Sequence, residues 1–93
     1  MNEMKKAVVS VLGTDRKGII ANVSRVLYEH DANILDISQT ITSGLFNMLL
    51  IADLSGENCE FDSLKKALTE VGETLGVQIR IQRNEIFDAM HRI

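Results

Sequence analysis

Two strand-length apolar stretches, NILDISQTIT and LFNMLLIADL, are separated by only Ser43 and Gly44. A two-residue link of that kind closes a β-hairpin, because the tight turns that match strand twist demand positive φ, which glycine adopts without a Cβ clash. The turn also fixes register. Ile41 then faces Phe46 and Ile37 faces Leu50 on the core side, while Ser38 faces Leu49 and Asp36 faces Ile51 on the outer side. In the first stretch Leu35, Ile37, Gln39 and Ile41 alternate with Ile34, Asp36, Ser38 and Thr40, which predicts a half-buried strand with Ile34 on the mostly polar side. The second stretch is apolar on both faces and needs cover on both.

The segments around this hairpin supply the rest of a domain. MKKAVVSVL is β-branched and ends at Gly13, so it reads as a strand buried on both faces. Ile19, Ile20, Val23, Val26 and Leu27 recur at helical spacing, opposite Asn22, Ser24, Arg25 and Glu29. Asp15 is the predicted N-cap of that helix, its carboxylate accepting from the amide of Lys17 or Gly18. The helix is predicted to end near His30, with Asp31 or Asn33 taking the left-handed conformation of a C-terminal cap. After the loop SGENCE, the spacing of Phe61, Leu64, Leu68, Val71 and Leu75 predicts a second helix that stops at Gly76. VQIRIQR then sets Val77, Ile79 and Ile81 inward against Gln78, Arg80 and Gln82. NEIFDAMHRI aligns Ile86, Phe87, Met90 and Ile93 on one stripe of a short helix over about residues 84–92, opened by Asn84.

Strand, helix, strand, strand, helix, strand is the α+β, ferredoxin-like βαββαβ order, and residues 1–93 read as one domain. Right-handed crossovers place both long helices on one face of a four-stranded antiparallel sheet of order 4-1-3-2. The outer face, with Leu49, Ile51 and one side of the first strand, is then left apolar. Either the last helix or a second subunit is expected to cover it.

Charge and spacing exclude several functions. A net charge of −3 gives no general attraction for nucleic acid or an anionic membrane, and LFNMLLIADL is too short to span a bilayer. With no apolar leader ahead of the first strand, the expected compartment is the cytoplasm. Gly13 and Gly18 have the spacing of a phosphate-binding P-loop, but Ile19 and Ile20 stand where lysine and serine or threonine must touch phosphate and magnesium. The two histidines lack the context of a catalytic base, and His30 at a helix end suits the helix dipole. Cys59 is the only cysteine, set among acidic neighbours that oppose thiolate formation. Neither a paired metal-ligand spacing nor a cofactor motif is present. An RNA-recognition motif shares the topology, yet the first strand carries no aromatic for base stacking and the third only the inward-facing Phe46.

A binding loop survives these exclusions. Asp15, the free amides of Lys17, Gly18, Ile19 and Ile20, and the start of the second strand at Asn33 and Ile34 are expected to meet at one edge of the sheet. Free amides suit a carboxylate, whereas Asp15 and the Asn33 side chain suit an ammonium, and an amino acid carries both. Residue types alone allow a purely structural reading equally well: Asp15 caps the helix, Gly18 permits close packing and Asn33 turns the chain.

The run TDRKGIIANVSRVLYEHDANILDISQTI, with the hairpin and FNMLLIADL, resembles the ACT domain, the small ligand-binding module of amino-acid metabolism. RNEIFDAMHRI further resembles the C-terminal end of short, stand-alone bacterial ACT proteins, a group similar to the ACT modules of the glycine cleavage repressor and formyltetrahydrofolate deformylase. The resemblance implies a non-enzymatic regulatory module that senses a small amino acid at the interface of a homodimer or higher homo-oligomer. Asp15, Gly18, Ile19 and Ile20 would line the ligand loop, with Asn33 and Ile34 opposite across the subunit interface. Lys17 stands where the family commonly has proline, and Asp31 at or near a common glycine. A dimerisation or protein-interaction scaffold without ligand is the alternative.

Overall fold

The computed structural model describes residues 5–83, in the order β1 (Lys6–Thr14), α1 (Ile19–Glu29), β2 (Asn33–Thr42), β3 (Leu45–Asp53), α2 (Phe61–Leu75) and β4 (Val77–Arg83). Ser43 and Gly44 take φ values of 52° and 79°, the double positive φ of a tight hairpin turn. The predicted register follows from it. Ile41 pairs with Phe46, Ile37 with Leu50, Ser38 with Leu49 and Asp36 with Ile51. The sheet order is β2-β3-β1-β4, which is 4-1-3-2 read from the other edge, and every pairing is antiparallel.

The core forms where the inward sides of the central strands meet the helices. Ala7, Val9 and Val11 of β1 and Phe46, Met48, Leu50 and Ala52 of β3 pack with Ile19, Val23, Val26 and Leu27 of α1 and Leu64 and Leu68 of α2. Each helix ends as its residues dictate. Asp31 takes the left-handed conformation after α1, at φ 59°, and Gly76 does so after α2, at φ 73°. A Cβ on Gly72 would come within 2.7 Å of the Val77 carbonyl oxygen, so α2 lies against the start of β4 only because this position lacks a side chain.

Four expectations are corrected. β1 is buried on its helix side alone: Val8 and Ser10 are half-buried and Leu12 is 45% exposed. Ile37 and Ile41 face the helix side as predicted, yet they are 42% and 54% exposed, because β2 is an edge strand and the helical core lies over its neighbours. Ile34 pairs with Ala52 while Asp36 pairs with Ile51, so Leu35 is an extra, bulged residue. The bulge shifts the alternation by one and puts Ile34 against the core instead of on the polar side. Finally, α1 begins at Ile19 with Gly18 as its N-cap, at φ 91°, because a left-handed residue cannot extend a helix back toward Asp15. The helix predicted over residues 84–92 lies outside the described residues.

Candidate functional site

The loop between β1 and α1 leaves the sheet beside the hairpin and is tied down on two sides. The Asp15 amide donates to the Gly44 carbonyl at 2.9 Å. Arg16 Nη1 donates to the Leu75 carbonyl at 2.6 Å, which places a guanidinium at the C-terminal end of α2, where the helix dipole favours a cation. At the far end of the loop, the Gly18 carbonyl accepts from the Asn22 amide at 2.9 Å and from Asn22 Nδ2 at 2.7 Å. Arg25 in turn donates to Asn22 Oδ1 at 3.1 Å.

No side chain caps α1, so Asp15 is not the N-cap it was predicted to be. The amides of Ile19, Ile20 and Ala21, which have no partner inside the helix, form the electropositive end of the loop. Asp15, Lys17, Gly18 and Ile20 are exposed around it. Ile19 is 2% exposed, so its side chain belongs to the core and only its amide faces the loop.

Asn33 and Ile34 lie elsewhere. Asn33 pairs with Asp53, at the end of the sheet opposite the hairpin, and Thr42 lies nine residue steps further along β2. At the rise of an extended strand that is about 30 Å. One chain therefore does not bring Asn33 and Ile34 to the loop, contrary to the expectation that all seven residues meet at one edge. They are joined by the exposed edge of β2, where Leu35, Ile37 and Ile41 stand uncovered, with Ile20 of α1 also exposed.

The remaining reactive side chains have structural settings. Burial, then the charges of Asp31 and Asp53, pushes the Cys59 thiol above its ordinary value, which makes it a poor nucleophile. His30 Nδ1 lies 2.9 Å from the Val26 carbonyl oxygen and closes the last turn of α1. His91 lies outside the described residues. No group of three or more metal-ligating side chains occurs among the described residues, and no helix among them is long and apolar enough to cross a membrane. A shallow concavity between α2 and β4, lined by Thr69, Gly72, Val77 and Ile79, touches none of the predicted site residues. Sequence reasoning missed Arg16, whose acceptor lies 59 residues away and leaves no local pattern to read.

A model of the ACT domain matches residues 5–82. The chain belongs to the ACT-domain family. Like this chain, a UPF0237 protein of Methanocaldococcus jannaschii is a small ACT protein: it is 53% identical over 90 residues, covering 97% of this chain and all of its own length. An ACT domain protein from Streptococcus pneumoniae superimposes with a TM-score of 0.78 at 39% identity, over 91% of this chain and 96% of its own. A putative glycine cleavage system transcriptional repressor shares the fold, with a TM-score of 0.76 at 23% identity, over 88% of this chain and 47% of its own. The small relatives are archaeal as well as bacterial, a wider range than the bacterial group suggested by the C-terminal residues. The 90-residue match also runs past residue 82, where the match to the ACT-domain model ends.

Proposed function

We propose that this ACT domain is a non-enzymatic, cytoplasmic regulatory module that senses a small amino acid between two copies of itself paired along β2. The observation that carries the reading is the separation of the predicted site residues. The loop and Asn33 stand at opposite ends of the same uncovered edge strand. A two-fold axis near the middle of β2 sets the two strands antiparallel, and the start of one then meets the end of the other. The loop of one subunit would thereby face the partner subunit's Asn33 and Ile34. The pairing would also cover Ile37 and Ile41, whose exposure on a ten-residue edge strand otherwise invites uncontrolled association.

In this arrangement the α1 amides receive a carboxylate, while Asp15 and the partner subunit's Asn33 receive the ammonium. Ligand makes contacts with both copies and so stabilises the paired state over the separate chains, which is the differential affinity a regulator needs. Melting with each of the twenty amino acids tests the proposal. A ligand at ten times its Kd adds about 1.4 kcal/mol, which for a domain of this size raises Tm by roughly 5–10 °C. Loss of that rise in Asp15→Ala, with the fold retained, supports the site. No rise for any amino acid at millimolar concentration, with a dimer in sedimentation, leaves the alternative of an assembly scaffold, which the apolar β2 edge favours by itself.

A further inference from the structure

The outer face of the sheet has a pattern that the β2 edge does not explain. Its residues fall in rows across the strands, Asp36–Ile51–Val8–Gln82, Ser38–Leu49–Ser10–Arg80 and Thr40–Asn47–Leu12–Gln78. The two central strands carry Val8, Leu12, Leu49 and Ile51, while the flanking strands are polar throughout these rows. Leu12 and Leu49 are 45% and 46% exposed. The result is an apolar stripe along the two central strands, interrupted by Ser10 and Asn47, between two polar margins. Strands lie about 4.8 Å apart, so the stripe has the width of one helix, whose diameter with side chains is about 10 Å.

We propose that residues 84–93 of the same chain cover this stripe. Three observations converge on that segment. β4 ends at Arg83, opposite Ala7, so the chain leaves the sheet next to the Gln82–Val8 pair, at one end of the stripe. The segment's sequence sets Ile86, Phe87, Met90 and Ile93 on one side at helical spacing and Asp88 on the other. Its length fits as well. Ile86 to Ile93 spans about 10 Å as a helix, and Val8 to Leu12 spans about 13 Å along β1. Folding back antiparallel to β4, the stripe of the segment meets the stripe of the sheet from the Val8 row to the Leu12 row. This proposal is independent of whether an amino acid binds at the β2 edge.

The test uses the full chain with Cys59→Ser and Asp88→Cys, a nitroxide attached at position 88 and ¹⁵N amides observed by NMR. Amide signals of Val8, Ser10, Leu49 and Ile51 are expected to lose most of their intensity, and those of α1 and α2, on the other side of the sheet, much less. Adding Leu49→Lys should restore the outer-face signals while α1 and α2 keep theirs. A mixture of nitroxide-bearing ¹⁴N chains with unlabelled ¹⁵N chains distinguishes the source. Loss only in the singly labelled chain supports the proposal, whereas equal loss in the mixture assigns the cover to a second copy and overturns it. Undiminished outer-face signals in the labelled chain overturn it equally.

Discussion

Gly56 illustrates how much a single position decides in a small domain. A Cβ there would run into the carbonyl oxygen of Asp31 and its carboxylate, and the carboxylate accepts from the Asn58 amide at 3.1 Å to hold the loop before α2 against the end of α1. Gly56→Ala should therefore cost about 1–3 kcal/mol, read as a lower urea midpoint with unchanged slope. Gly18 has a different reason: at φ 91° any side chain is strained, and Gly18→Val should lose about 1–2 kcal/mol. The sequence offered glycine at both places without telling the two reasons apart. Asp31 was readable as one of two left-handed cap candidates, with Asn33, because both residue types tolerate that conformation and the helical spacing ends just before them. Arg16 was not, since its acceptor is a main-chain carbonyl distant in sequence. Arg16→Ala should lower stability by about 1 kcal/mol through the lost charge-assisted bond, and should raise amide hydrogen exchange in residues 14–18 before any other loop.

Among the elements, the hairpin was the most legible. Its two-residue turn fixes one register, which buries Phe46 and Leu50 together. What the alternation of β2 hid was the bulge, because Leu35 and Ile34 are both apolar and either could have occupied the core side. The start of α1 was misplaced for a similar reason: aspartate is a good cap in general, and only the backbone conformation of Gly18 moves the boundary. At the end of β3, hydrogen bonds from Ser55, first its side chain and then its amide, and from the Lys5 amide hold the Asp53 carboxyl below its ordinary range. A carboxyl depressed in the folded state stabilises above its unfolded pKa and loses that contribution as pH falls through the folded value. Asp53→Asn should accordingly flatten the acid limb of stability against pH below about pH 4 and leave the neutral range parallel to that of the parent chain.

For the whole molecule, the fold was within reach of pattern reasoning because each strand and helix declares its buried side. The assembly was not, because it depends on which surfaces remain after folding. Asn33 and the loop looked adjacent when read as a list of residues, but α1 carries the chain back along the sheet before β2 begins and separates them by the length of the sheet. Ile37→Lys places a charge on the edge that the proposed pair needs. It should give a sedimenting monomer with little loss of helix by circular dichroism, since Ile37 is largely outside the core. A dimer that persists in this variant would move the interface away from β2.

The bulge at Leu35 bears on how this sequence can change in length. Because Ile34 and Asp36 already pair with the adjacent residues Ala52 and Ile51, the strand holds one residue more than its ladder uses. Deleting Leu35 would close the gap and leave every other pair in place, so a position inside a strand, where a one-residue loss ordinarily inverts all the side chains on one side of it, is here a site of tolerated deletion. The shortened strand would be straighter and its free edge more evenly hydrogen-bonding, and the lineage that lost the residue would trade a twisted border for one that recruits neighbours indiscriminately.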